Sequence, residues 1–137
     1  MKKFLKPPKA QGGQLLQAPT TEGAGNTNAM HPTFCLRDLW NLDACETSEQ
    51  AALAKKMRTL AQQTWSELHS RGCHKGGCEP IPVKQLKGVK LPPLPQGVES
   101  VLVFRFDGNK PMLGLRQGST FRVFHLDRDF TAYDHGS

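Results

Sequence analysis

Three arginines fall in successive segments that the sequence pattern predicts to be strands. Arg105 lies in SVLVFRF, Arg116 ends PMLGLR, and Arg122 lies in TFRVFHL. A guanidinium group offers forked donors that match the oxygens of a phosphate group. If Leu102 and Leu113 face a helix, the alternation of side chains along a strand puts Arg105 and Arg116 on the opposite face. Solvated strand arginines paired with nearby aspartates are the other interpretation.

The segment after the third predicted strand carries two side chains suited to proton transfer. It reads DRDFTAYDH and contains Tyr133 and His135. Tyrosine and histidine both act as general acids or bases in enzymes. With Arg116 at a phosphate, Tyr133 and His135 are the candidate catalytic groups. The alternative is that His135 is only a solvent-exposed residue near the end of the sequence.

A strongly basic segment precedes the predicted strands. Residues 71–97 hold Arg71 and four lysines against the single acid Glu79, and the lysines are Lys75, Lys84, Lys87 and Lys90. The whole chain has a formal net charge of +6. Such an excess favours an anionic partner, of which RNA is the first candidate, with Arg105 and Arg122 joining the lysines as binding residues. The alternative is that the lysines only keep the domain in solution.

Four cysteines raise two possibilities, a disulfide framework and a metal site. The start MKKFLKPPK leads into no apolar segment of the kind found in signal peptides, so we expect a cytoplasmic chain without disulfides. The sequence CHKGGC places Cys73, His74 and Cys78 close together as possible zinc ligands. Structural zinc sites usually contain two close ligand pairs, and here only one is present. Buried or loop thiols are therefore the favoured interpretation, and we expect no metal or other cofactor.

One strong helix signal lies ahead of the basic segment. Thr47-Ser48-Glu49-Gln50 has the pattern of a capping box, and Gly72 offers a stop. Between them, apolar residues recur every three or four positions, at Leu53, Met57, Leu60, Trp65 and Leu68. The spacing predicts a single amphipathic helix of about 22 residues. Residues 34–42 fit either a short strand or a helical turn.

The predicted fold is α+β, with the long amphipathic helix packed on an antiparallel β-meander. Strands are predicted over Ser100–Phe106, Pro111–Arg116 and Thr120–Leu126, joined by turns at Asp107-Gly108 and at 117–119. Residues 1–30 have almost no apolar periodicity, so we predict a flexible basic tail there and a single domain over residues 31–137. The proline-rich stretch between helix and strands is predicted to be a long loop over the sheet.

The layout over residues 47–135 resembles the toxins of the RelE/ParE superfamily. An arginine-bearing strand, a hairpin, a second arginine, a third strand and a terminal Tyr133 and His135 follow the basic loop. The resemblance implies a RelE-like fold, a cognate antitoxin as protein partner and metal-independent cleavage of RNA. By that resemblance Arg105 and Arg116 hold the scissile phosphate, while Tyr133 or His135 activates the 2′-hydroxyl or protonates the leaving oxygen.

A second function fits the same composition. The chain is then a non-catalytic basic module, encoded by a mobile element or phage, that binds RNA or a protein through the tail and the Lys84–Lys90 loop. No apolar run reaches the roughly 18 residues of a membrane helix, so no membrane partner is expected. Phosphate-binding glycine loops, zinc-protease motifs and nucleophile elbows are also missing from the sequence.

Overall fold

Five strands form one mixed sheet in the order β1–β5–β4–β3–β2. The computed structural model describes residues 27–134, so most of the predicted tail lies outside the described residues. β1 runs parallel to β5, and all other neighbouring strands are antiparallel. The strands are β1 (Thr33–Cys35), β2 (Glu79–Pro82), β3 (Ser100–Asp107), β4 (Lys110–Gln117) and β5 (Thr120–Leu126).

The predicted fold class, a long amphipathic helix on a RelE-like antiparallel meander, is wrong. The three strands of the meander do form, but the sheet has two further strands, one at each edge. Both were hard to read from the sequence, since β1 has only three residues and β2 contains Pro80 and Pro82. Proline lacks the amide donor of an inner strand and is tolerated in β2 because β2 lies at the sheet edge.

The predicted 22-residue helix is also wrong, because it is two helices. α1 spans Thr47–Ala61 and α2 spans Trp65–Ser70. A second capping box causes the break: the Thr64 hydroxyl accepts from the Glu67 amide at 3.2 Å, and the Glu67 carboxylate accepts from the Thr64 amide at 2.8 Å. No helix among residues 27–134 combines the length and apolar character needed to cross a bilayer.

Apolar side chains cover both faces of the sheet. The face toward the helices carries Phe104, Met112, Phe121 and Val123, which pack against Leu53, Leu60, Trp65 and Leu68. Gly114 also lies on this face. The position requires a glycine because the Phe121 ring occupies the space of a side chain, with ring carbon Cζ only 2.5 Å from where a Cβ would stand. The stripe predicted on the helix is therefore confirmed as core.

The opposite face carries its own core, formed by Val101, Val103, Leu113, Leu115 and Phe124. The interpretation in which Leu113 faces the helix is therefore wrong. Residues of the proline-rich segment cover this second face, and they are Val83, Leu86, Val89, Leu94 and Val98. The long loop predicted between helix and strands is thus the outer layer of the core over much of its length.

A buried carboxylate joins three parts of the fold. Glu49, in the first turn of α1, is only 4% exposed. Its two oxygens accept from Lys110 Nζ at 2.9 Å, from Arg128 Nε at 2.7 Å and from the Glu46 amide at 2.7 Å. The bond from the Glu46 amide, followed by the Lys110 ammonium, lowers the pKa of Glu49 to about 2. The network ties α1 to the start of β4 and to the segment after β5.

Acid should therefore weaken the fold through Glu49. Because its pKa is lower in the folded than in the unfolded chain, its contribution is complete above the unfolded value near 4.5 and is lost as the pH falls toward 2. Glu49→Gln should lower the free energy of unfolding at pH 7 by about 1–3 kcal/mol and flatten its dependence on pH in this window. Urea denaturation at several pH values measures both, with the exposed Glu99→Gln as control. An unchanged acid profile in Glu49→Gln would contradict the assignment.

Candidate nucleic-acid interface

Tyr133 is held inside the second core, away from solvent. It is 8% exposed and packs in the cluster that contains Val103 and Leu113. The Asp127 carboxylate accepts from the amides of Thr131 at 2.9 Å and Ala132 at 3.1 Å, which shapes the turn leading to Tyr133. Burial raises the pKa of Tyr133 to about 12. This phenol is a poor proton carrier at neutral pH.

Arg116 lies on the other face of the sheet. Its guanidinium stacks on Trp65 with 4.4 Å between its central carbon and the ring centroid. Its nitrogens donate to Gly118 O at 2.8 Å and to Thr27 Oγ1 at 2.9 Å. The expected shared face of Arg105 and Arg116 is therefore not formed, because Leu113 faces away from the helices and Arg116, three positions on, faces toward them. His135 lies outside the described residues, so of the candidate catalytic groups the structure places Arg116 and Tyr133, on opposite faces.

A thiol and an imidazole lie beside Arg116 and have the composition of a catalytic pair. Cys78 Sγ is 3.5 Å from His69 Nδ1, while Arg116 Nη1 is 3.1 Å from His69 Nε2. Because a guanidinium only donates, Nε2 must accept, and the neutral imidazole then carries its proton on Nδ1 and donates it to sulfur. In addition, burial raises the pKa of Cys78 to about 12. The histidine is not oriented to deprotonate the thiol, which is a packed core residue.

The zinc alternative gains no support from the fold. Cys78 packs with the core under the helices, whereas Cys73 packs with the core on the other face. The side chain of His74 lies outside the described residues. Within the described part of the chain, no three histidine, cysteine or acidic side chains are grouped as metal ligands. The four cysteines are free thiols.

The other two strand arginines have local partners. Arg122 forms an ion pair with Asp38 and donates to Gln117 Oε1 at 3.1 Å. Arg105 donates to Asn109 Oδ1 at 3.1 Å at the β3–β4 hairpin. Arg122 is therefore used to fix the segment after β1. Arg105 lines a separate pocket together with Lys56.

The predicted RNA-binding lysines are all on the surface. Lys75 is exposed after α2. Lys84, Lys87 and Lys90 are exposed as well, whereas their neighbours Val83, Leu86 and Val89 pack against the second core. The apolar residues and the lysines each recur every three positions, and the Lys87 amide is fixed by the Ala132 carbonyl at 2.7 Å. Burial of the valines and leucine thus turns the three lysines outward.

Lys90 leads into a groove that contains an exposed tryptophan. The groove has a volume of about 290 Å³ and is lined by Arg37, Asp38, Leu39, Trp40, Lys90, Leu91, Pro92 and Pro93. We call it the Trp40 groove. Trp40 is 47% exposed. Asp38 is neutralised by Arg122, whereas within residues 27–134 Arg37 and Lys90 have no ion-pair partner. The groove therefore combines an aromatic surface with an excess of positive charge.

Two sets of contacts fix the position of Trp40. Its ring stacks on the imidazole of His125, with centroids 5.6 Å apart and an interplanar angle of 29°. His125 is 8% exposed, and burial lowers its pKa, so the supporting ring is neutral at neutral pH. The next residue, Asn41, donates from Nδ2 to Leu126 O at 2.8 Å and accepts from the Leu126 amide at 3.1 Å. These contacts fix the tryptophan at the end of β5.

Of the predicted RNA-binding residues, only Lys90 lines this groove, and the sequence analysis named neither Trp40, Arg37 nor Asn41. The lysines stand out by their number. Asn41 has no local signal, because its partner Leu126 is 85 positions away. An isolated tryptophan next to an unassigned element also fits a core position, and only the fold shows that one ring face is exposed.

Comparison of the chain with models of protein families, with curated proteins and with solved structures found no match in any of the three. The resemblance to the RelE/ParE superfamily and the cognate antitoxin that it implies therefore stay predictions.

Loss of the Asn41 amide should loosen the support of Trp40. Asn41→Ala leaves the Leu126 amide without this acceptor, which should cost about 1–3 kcal/mol in the free energy of unfolding. Acrylamide should also quench the fluorescence more strongly, since Trp65 is fully buried and Trp40 supplies most of the accessible signal. Asn28→Ala, at an exposed position, is the control and should stay within about 0.5 kcal/mol. Equal losses in the two variants would show that the Asn41 amide does not hold this segment.

Proposed function

We propose that the chain is a non-catalytic module that binds single-stranded RNA through the Trp40 groove. The observation that carries the proposal is an exposed tryptophan ring, fixed by stacking on a buried neutral imidazole and flanked by Arg37 and Lys90. Proteins that bind single strands combine an aromatic platform for a base with cations for the neighbouring phosphates. The Trp40 groove supplies both within one concave surface.

The exposed lysines extend the positive surface beyond the groove. Lys84 and Lys87 precede Lys90 in the same segment, and all three are exposed. A single strand has one phosphate per nucleotide, so a strand whose base stacks on Trp40 has further phosphates for these ammonium groups. Each neutralised phosphate releases condensed counterions, which contributes to affinity in such complexes.

The geometry supports binding better than cleavage. Cleavage through the 2′-hydroxyl needs a base, an acid and positive charge around one phosphate. Tyr133 is buried, Arg116 is engaged on the opposite face of the sheet, and the groove itself is lined by no histidine or tyrosine. Of the two predicted functions, the RNA-binding module therefore fits the described residues. We infer a cytoplasmic location for such a module, because RNA is abundant there and its four free thiols would stay reduced.

Removal of the aromatic platform should weaken RNA binding. Stacking on an aromatic side chain is worth about 1–3 kcal/mol per base, so Trp40→Ala should raise the dissociation constant for a single strand of about 12 nucleotides by about 5- to 150-fold. Fluorescence anisotropy of a labelled oligonucleotide measures this effect. Phe130→Ala removes an exposed aromatic ring outside the groove and should leave the affinity unchanged.

Three results would contradict the proposal. Equal affinity in the wild type and Trp40→Ala would mean that RNA does not use the groove. RNA that is cut in the presence of EDTA would restore the nuclease prediction. If the wild type fails to bind single-stranded RNA at low salt, the exposed groove is better explained as a contact surface for a protein partner.

The salt dependence should show one phosphate contact at Lys90. The slope of the logarithm of affinity against the logarithm of salt concentration should become shallower by about 0.7 in Lys90→Ala, as expected for one phosphate of a single strand. Lys55→Ala removes the same charge from an exposed position on α1, which is not part of the groove, and should keep the wild-type slope. Equal changes in both variants would indicate a general effect of net charge instead of a contact at the groove.

A further inference from the structure

A second pocket lies between α1, the turn after α2 and the β3–β4 hairpin. It has a volume of about 230 Å³, and its lining includes Lys56, Arg105, Asn109, Gly76 and Gly108. None of the residues proposed to bind RNA at the Trp40 groove lines it. None of its lining residues is an aspartate or glutamate. Two cationic side chains thus face a polar space without a carboxylate in its wall.

Lys56 is the less committed of the two cations. Its side chain is half-buried on α1, and the loss of solvent lowers the pKa of its ammonium group. Among the described residues, no carboxylate pairs with this ammonium and no acceptor bonds to it. An ammonium group that is partly desolvated and unpaired gains more from an anion than an exposed lysine does.

Arg105 and Asn109 add oriented donors. Arg105 Nη1 donates to Asn109 Oδ1 at 3.1 Å, which assigns the oxygen of this amide and leaves its Nδ2 group as a donor. The nearest acid along the hairpin, Asp107, lies 3.6 Å from Lys110 Nζ and is neutralised there. An anion in the pocket would therefore meet an ammonium, a guanidinium and an amide.

The two glycines let the ligand approach the backbone. Gly76 has φ 82° and Gly108 has φ 59°, so both lie in the left-handed region that favours glycine. A Cβ on either would meet no atom within 4 Å, so the space beside them is open. The wall at these points is backbone, which a small anion can approach closely.

We propose that this pocket binds the phosphate group of a phosphomonoester. A phosphate dianion offers three terminal oxygens to the three kinds of donor, whereas a carboxylate offers two oxygens and a single charge. The volume of the pocket exceeds what one phosphate group fills, which leaves room for the first part of the group that carries it. The phosphate group could belong to a small metabolite or to the 5′ end of an RNA, because both present the same chemistry.

The test is a calorimetric titration of the full chain with inorganic phosphate, at constant ionic strength set with chloride. The wild type should bind saturably at one site, and Lys56→Met should weaken binding by about tenfold or more, the loss expected for a charged hydrogen bond. Lys55→Met, the neighbouring exposed lysine on α1, is the matched control and should bind as the wild type does. Circular dichroism checks that both variants are folded.

The proposal is overturned if the wild type shows no saturable binding, if both lysine variants bind equally well, or if acetate binds as tightly as phosphate. Trp40→Ala should keep full affinity for phosphate, so that failure of the RNA proposal and failure of this one give different results.

Oligonucleotides with a 5′-phosphate or a 5′-hydroxyl identify the source of the phosphate group. A preference for the 5′-phosphate oligonucleotide that disappears in Lys56→Met indicates an RNA end. If both oligonucleotides bind equally well while inorganic phosphate still binds at the pocket, the ligand is a small phosphomonoester.

Discussion

Both faces of the central sheet must be buried, and this requirement determines where the helices and the proline-rich segment lie. β3 and β4 carry large apolar side chains on each face, and burying one such side chain is worth about 1.5–3 kcal/mol. Helices α1 and α2 cover one face, and the second face is covered by the extended segment that contains Val83, Leu86 and Val89. That segment is ordered because it is part of the core. The outward position of its lysines follows from the inward position of its apolar residues.

The two kinds of basic residue are used differently in this fold. Arg116, Arg122 and Arg128 hold elements together, since each makes directional bonds to a carbonyl, a carboxylate or both. A planar guanidinium with five donors suits such fixed contacts. Within residues 27–134, exposed lysines such as Lys84, Lys87 and Lys90 form no ion pair, and neither do Arg37 and Arg58, so these side chains carry charge left for a partner. The hypothesis that the strand arginines bind phosphate did not lead to the groove, because Arg116 and Arg122 are used in contacts within the fold.

Local signals in the sequence predict the three long strands, their turns and the start of α1, because each of these depends on residues close together in the chain. The break at Thr64 also has a local signal, since Thr64-Trp65-Ser66-Glu67 has the capping-box pattern. The apolar stripe continues on both sides of this pattern and therefore favoured a single helix. The near-continuous apolar runs VLVF and MLGL are typical of strands buried on both faces, and this signal was missed. The exposed position of Trp40 could not be predicted from the sequence. It depends on contacts between residues far apart in the chain, the hydrogen bond from Asn41 to Leu126 and the stacking on His125.

Rigid support of Trp40 determines what kind of recognition the proposed RNA-binding groove would perform. A fixed ring loses little conformational entropy when a base stacks on it, and every base has a face that can stack. In the proposed complex, the arginine and the lysine beside it would contact phosphates, whose charge carries no sequence information. The groove holds few oriented donors for base edges, since much of its remaining lining is leucine and proline. Binding at this site should therefore depend on strandedness and salt more than on sequence, and any choice among RNAs must come from contacts beyond the groove.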